Sequence, residues 1–164
     1  MIIYIVDTNF FIQAHRSFYP LDVAVGFWDR VRLLADEGKI ISIDKVRAEI
    51  YKNDDELKQW CELNLPAAFF HSTKNISIHY SNVINWANDK RDQYTLAALT
   101  QFMDIEEADP WLVSYAISTG FTVVTQEESA PQSKKSIKIP DVCQVFNVQY
   151  LKPIDMFRNM GQTF

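Results

Sequence analysis

Ile2 to Val6 form a short, continuous and largely β-branched apolar run that stops abruptly at Asp7-Thr8-Asn9, before Phe10, Phe11 and Ile12 resume it. A run without polar alternation marks a strand covered on both faces, the arrangement found in parallel sheets between layers of helices. Such a strand delivers Asp7 to the margin of the core. A carboxylate placed there needs a hydrogen-bonding partner, a cation or a proton.

The rest of the chain agrees with a parallel sheet. Ile40 to Ile43 and Phe121 to Thr125 (FTVVT) read as further buried strands, and a short one is expected near Gln149 to Leu151. One helix is expected directly after Asp7. A second spans Leu21 to Glu37, with Val23, Phe27, Val31 and Leu34 on one face and Gly38 as its stop signal. Asp44 has the chemistry of an N-cap for a helix carrying Val46, Ile50 and Tyr51. Further helices are expected over Asp54 to Leu63, over much of Asn75 to Met103, over Glu106 to Thr119 (closed by Gly120), and from Pro153 onward. In the Asn75 to Met103 stretch, Val83, Ala87, Tyr94, Ala97 and Leu99 are the expected packing residues. Pro66 to Thr73 reads as a connection and Gln126 to Ser136 as a polar loop. Strands alternating with helices predict an α/β fold, with a central, mainly parallel sheet of four or five strands and helices on both faces. Nothing in residues 1–164 resembles a linker, so a single domain is expected.

Several chemistries are disfavoured. Cys61 and Cys143 lie far apart, and His15, His71 and His79 are scattered, so a zinc site or a disulfide framework is not expected. Cys143 and the tryptophans Trp28, Trp60, Trp86 and Trp111 read as core. The apolar start has no basic residues before it and is too short to be a signal peptide or membrane span, so the chain reads as soluble and cytoplasmic, with no membrane partner. The net charge of −5 runs against a nucleic-acid surface, which is usually basic. Clustered carboxylates holding divalent cations would account for that excess and invert the local field when loaded.

Ligands of open α/β sheets bind beyond the carboxyl ends of the strands. Asp7 occupies such an end, as do Thr125 and Glu127 after FTVVT; Glu49 in KVRAEI and Asp109 in ADPW occupy helix positions that could face the same edge. Each has a structural alternative. Asp7 can cap the next helix, Glu49 can be a solvated helix residue and Glu127 a loop acid, while Asp109 before Pro110 suits an N-cap. Together they point elsewhere. Carboxylates about 4 Å apart repel by roughly 4 kcal/mol at an effective dielectric of 20, so such a cluster requires cations or protons. Oxygen-only donors favour Mg²⁺ or Mn²⁺. These ions lower the pKa of a bound water and stabilise both oxygens of a phosphodiester displacement.

The order strand-DTN, helical V-x-x-E, A-D-P-W-L-V-x-x-A, then a strand ending VVTQE resembles the PIN domain, the fold of VapC-type toxins and other metal-dependent ribonucleases. The likeness runs from Ile3 to about Leu151, and is closest to a bacterial subfamily with the stretches YIVDTNFFI, ADPWLVSYA, VVTQE and KIPDVC. It implies a PIN-like three-layer α/β/α fold with Asp7, Glu49 and Asp109 as the acidic triad that binds metal. Asn9 falls on the residue supporting the first aspartate, and Thr125 on the Ser/Thr after the fourth strand. The family commonly has an aspartate where this chain has Glu127, and Asp141 in KIPDVC competes for the role of fourth acid. Lys134, Lys135 and Lys138 follow the same strand and could meet RNA; Lys90 and Arg91 are a second basic pair.

The resemblance implies a Mg²⁺- or Mn²⁺-dependent endoribonuclease, with RNA as substrate, a cognate antitoxin protein as partner and room for a homodimer. The alternatives are a phosphohydrolase of haloacid-dehalogenase type and a non-cleaving RNA- or protein-binding module. The former needs a second aspartate two residues after Asp7, where this chain has Asn9. The latter has no need of three mutually repelling acids.

Overall fold

The computed structural model describes residues 1–164. Its sheet has five strands in the order β3-β2-β1-β4-β5. They are β1 (Tyr4–Val6), β2 (Ile40–Ile43), β3 (Phe70–His71), β4 (Thr122–Val124) and β5 (Tyr150–Leu151). Every pairing is parallel; Tyr4 stands between Ile40 and Thr122, and Ile5 between Ile41 and Val123. The architecture is therefore the expected PIN-like α/β fold, with the sheet wholly rather than mainly parallel. β1, β2 and β4 are buried along their entire lengths, which explains their unbroken apolar sequences.

The chain starts at the central strand, builds outward through β2 and β3, then returns to β1's other side with β4. The strand order thus reverses between β1 and β4. That boundary is where open α/β sheets leave a crevice at their carboxyl edge.

The helices are α1 (Thr8–Gln13), α2 (Val25–Asp36), α3 (Asp44–Tyr51), α4 (Glu56–Asn64), α5 (Ser77–Asn88), α6 (Leu96–Phe102), α7 (Ala108–Thr119), α8 (Ile139–Val145) and α9 (Pro153–Asn159). α1 runs on into a π-helical turn, Ala14–Phe18. Gly120 ends α7 in the left-handed conformation, at φ 78°, which an L side chain adopts only at a cost.

Several elements differ from expectation. α2 begins at Val25, because Leu21 to Val23 form a separate turn in which the Val23 and Ala24 amides donate to the Pro20 carbonyl. Val23 is consequently exposed, while Phe27, Val31 and Leu34 enter the core. Asp44 does not cap α3; its carboxylate accepts from the Thr73 amide and hydroxyl, tying α3 to the segment after β3. β3 itself lies inside the expected connection, too short at two residues to carry a periodic pattern. The Asn75 to Met103 stretch is broken into α5 and α6 by a turn, and Ala98 rather than Ala97 faces inward. The KIPDVC segment opens α8, with Pro140 in its first turn. Trp28 and Trp111 are buried and Trp60 and Trp86 pack half-buried against the core. Burial pushes the Cys61 and Cys143 thiols up to about 12. No helix is long and apolar enough to cross a membrane.

Candidate active site

Asp7 is 1% exposed at the end of β1. One carboxylate oxygen accepts from the Phe10 amide at 2.8 Å, capping α1, and the other accepts from the Thr125 hydroxyl at 2.7 Å. The second bond spans the crevice between β1 and β4. Even so, burial raises the carboxyl to about 7, against the two hydrogen bonds and helped by the charges of Glu127 and Glu49. Asp7 thus caps α1 with one oxygen and bridges to Thr125 with the other.

Glu49 projects from α3 into the same region. Its oxygens accept from the Thr8 hydroxyl at 2.5 Å and from the Ala108 amide at 3.0 Å, so it joins the start of α1 to the start of α7. A glutamate from another helix therefore satisfies an amide at the N-terminus of α7, and Asp109 is not the cap. Glu107 occupies the N-cap position and makes no capping bond. Asp109 lies one residue inside the helix, and its carboxylate has no hydrogen-bonding partner in the protein. It is held well above the usual carboxylate range by burial first, then by Glu127, Glu107, Asp7 and Glu49.

A cavity of about 130 Å³ is lined by Asp109, Glu127, Glu107, Lys138, Ser136, Gln101 and neighbours. Glu127 enters it from just past β4: its amide donates to the Thr125 hydroxyl oxygen at 3.1 Å, and its carboxylate accepts from the Ile139 amide at 2.7 Å. Thr125 thus links Asp7 to Glu127. Asp141 does not join this group. Its oxygens accept from the Ser129 hydroxyl at 2.6 Å and the Ala130 amide at 2.9 Å, and it faces a different hollow. Asn9 makes no hydrogen bond to Asp7; the Phe10 amide and the Thr125 hydroxyl provide the support expected of it. Lys138 lines the cavity, whereas Lys134 and Lys135 lie exposed along the loop outside it.

Sequence reasoning passed over Thr8 and Glu107. Thr8 sits inside the DTN stretch, and its hydroxyl is what orients Glu49. Burial, followed by Glu49, raises Glu107 to about 7, while Lys52 opposes the shift. Its signal was the acidic run Glu106-Glu107 before Ala108. Positions two apart diverge on a helix, but Glu107 precedes the helix and can converge with Asp109.

The donor set fits a hard divalent cation. All donors are carboxylate oxygens, Asp109 is unpartnered, and burial with the neighbouring charges raises the proton affinity of Asp7 and Asp109. No three acids stand close enough together to form a preformed metal cage.

Two solved structures resemble the chain in fold. One is VapBC2 from Rickettsia felis bound to a DNA fragment from their promoter, with TM-score 0.55 and 15% identity, covering 92% of this chain and 98% of that one. The other is FitAB bound to an IR36 DNA fragment, with TM-score 0.54 and 15% identity, covering 92% of this chain and 95% of that one. At such identity the likeness concerns the fold alone. No curated protein matches the sequence. Residues 4–164 match a family described as a domain of unknown function, and the chain belongs to that family, DUF4411.

Proposed function

We propose that this chain is a metal-dependent endoribonuclease that hydrolyses RNA phosphodiester bonds, acting as the toxin of a type II toxin–antitoxin pair. The observation that carries the reading is the gathering of acids from four separate stretches of chain: Thr125 links Asp7 to Glu127, Glu127 shares a cavity with Asp109, and Glu49 ties the residue after Asp7 to the one before Asp109. Buried acids such as Asp7 and Asp109, whose proton affinity burial and neighbouring charges raise, are costly unless a cation or substrate chemistry uses them. The fold shared with VapBC2 and FitAB adds support by analogy.

In this reading Asp7, Glu49 and Asp109 hold Mg²⁺ or Mn²⁺. The bound cation supplies an activated water and positive charge for the phosphodiester oxygens. Thr125 fixes the rotamer of Asp7, and Thr8 with the Ala108 amide fixes Glu49. Glu127, anchored by the Ile139 amide, faces the cavity beside Asp109 and can accept a proton from water there. Lys138 stands at the same cavity to meet a phosphate oxygen. The dehalogenase-like alternative is weakened by Asn9 and by Asp7 itself. Both Asp7 oxygens are engaged by donors, which blunts the carboxylate as a nucleophile.

The test is incubation with a panel of cellular RNAs in Mn²⁺ or Mg²⁺. Cleavage is expected with either ion and should vanish in EDTA; full activity in EDTA would defeat the metal mechanism. Toxin function predicts that a small DNA-binding protein from an adjacent reading frame forms a stable complex that suppresses cleavage.

The two competing acids should separate cleanly. Glu127→Gln should lower turnover far more than Asp141→Asn, because only Glu127 faces the cavity. Asp141→Asn weakens the bonds holding Ser129 and Ala130, costing about 1 kcal/mol and a few degrees of melting temperature. Normal cleavage by Glu127→Gln with an inactive Asp141→Asn would reverse the assignment.

A further inference from the structure

A second hollow, of about 310 Å³, lies beside the acidic cavity and is walled by Trp86, Lys90, Tyr94, Pro131, Asp141 and Gln144, among others. The two share a wall. Phe102 lines the acidic cavity and packs edge-on against Trp86 at 6.5 Å between ring centroids. Tyr94 belongs to the second hollow, while Ala98, four residues on, belongs to the first. Tyr94 stands just before α6 and Ala98 in its first turn.

Two groups in this hollow lack partners. Tyr94 is 5% exposed and lines the hollow, yet its hydroxyl makes no hydrogen bond within the protein. Lys90 forms no ion pair. Most neighbouring polar groups are already satisfied. Asp141 holds Ser129 and Ala130, the Gln93 amide donates to the Pro131 and Ser133 carbonyls, and Gln144 donates to the Tyr150 hydroxyl. The Thr95 amide donates to the Lys134 carbonyl. These bonds dock the loop after β4 onto the turn between α5 and α6. They place the backbone of Lys134 against the turn that carries Lys90 and Arg91, while Lys138 of the same loop lines the acidic cavity.

We propose that the hollow is a nucleotide subsite. It takes one unpaired base of the RNA strand against the Trp86 face, with Lys90 at the neighbouring phosphate and the Tyr94 hydroxyl on a base or sugar oxygen. The inference rests on the ribonuclease reading above and adds where the strand runs: from the acidic cavity, over the wall formed by α6, along the loop. Aromatic stacking with a lysine at the backbone is how proteins hold single strands without strict sequence readout. With the other polar edges occupied, the subsite should favour single-stranded over duplex RNA more than it favours any one base.

The experiment compares wild type with Lys90→Gln and Tyr94→Phe, which remove a charge or a hydroxyl and preserve packing. A 12-nucleotide single-stranded RNA in Mn²⁺ serves as substrate. KM should rise at least threefold in each variant and roughly tenfold or more in Trp86→Ala, a stacking loss. Lys90→Gln should also flatten the dependence of log affinity on log salt by about 0.7, the loss of one phosphate contact on a single strand. A 4-thiouridine placed beyond the scissile phosphate should crosslink to Trp86 or Tyr94. Unchanged KM and salt slope in both conservative variants of a protein that cleaves RNA would overturn the subsite and leave the ribonuclease reading standing. A wild-type protein that neither binds nor cleaves RNA in Mn²⁺ would overturn both.

Discussion

Asp109→Asn and Asp7→Asn should each lower RNA turnover at least roughly 100-fold while leaving the protein folded. In the proposed mechanism each removes a ligand and a charge from the place the cation would occupy, and no neighbour can substitute. Glu49 is fixed in its own place by Thr8 and Ala108, and Glu127 by Ile139, so neither can move into the position of the lost ligand. A fold defect is not expected. In Asp7→Asn the amide oxygen can still accept from Phe10, and the Thr125 hydroxyl can turn to accept rather than donate. The Asp109 carboxylate accepts from nothing in the protein, so its replacement breaks no side-chain bond. Both variants should in fact melt higher than wild type in EDTA at pH 8, because they delete a carboxylate that burial penalises. Higher stability joined to lost activity is the mark of a group kept for chemistry. Cleavage retained by both variants would point to a contaminating nuclease.

Without metal, stability should fall as pH rises from 5 to 8. Asp7 goes from an ordinary value of 3.8 to about 7 on folding, and Glu107 from 4.5 to about 7. Between those values the native chain holds protons that the unfolded chain has released, so stability declines with pH across that interval. The stability retained by protonating these acids is fully present below about pH 4 and is gone once pH passes the native value near 7. For Asp7 alone the shift corresponds to something on the order of 4 kcal/mol. Urea midpoints in EDTA should therefore be higher at pH 5 than at pH 8, with a smaller difference in Asp7→Asn. Adding Mn²⁺ at pH 8 should restore about 2.7 kcal/mol at a hundredfold excess over its dissociation constant. A flat profile in EDTA would mean the acids are solvated rather than buried together.

Much of this arrangement was legible because strands announce their ends. An apolar run closing on Asp7 and another closing on Thr125 fix two parallel strands, and the parallel sheet places both residues at one edge. Acids on helices were harder to place. Glu49 and Asp109 could be assigned only by likeness, since helical periodicity does not say which face meets a distant strand. Glu107 escaped because its convergence depends on the angle at which the chain enters α7. Asp141 competes with Glu127 in sequence and is expected to line the same pocket if the intervening loop folds back; with Ser129 and Ala130 seated on it, it faces a different hollow. β3 had no chance of detection: two residues pair with β2 by position, without a pattern of their own.

The bond between Asp7 and Thr125 joins residues 118 positions apart in the chain. Synthesis runs from the amino end, so the ribosome delivers the first acid of the site early and its partner late. β1 waits with one side unpaired until Thr122 to Val124 arrive to lie against it. Contacts this distant close slowly, after the local helices have formed. A chain truncated before Thr125 would carry Asp7, Glu49 and Asp109 yet lack the strand that gathers them. Prematurely terminated or still-tethered copies would then carry the acids of the candidate site unassembled, and the site would be completed only with the last quarter of the chain.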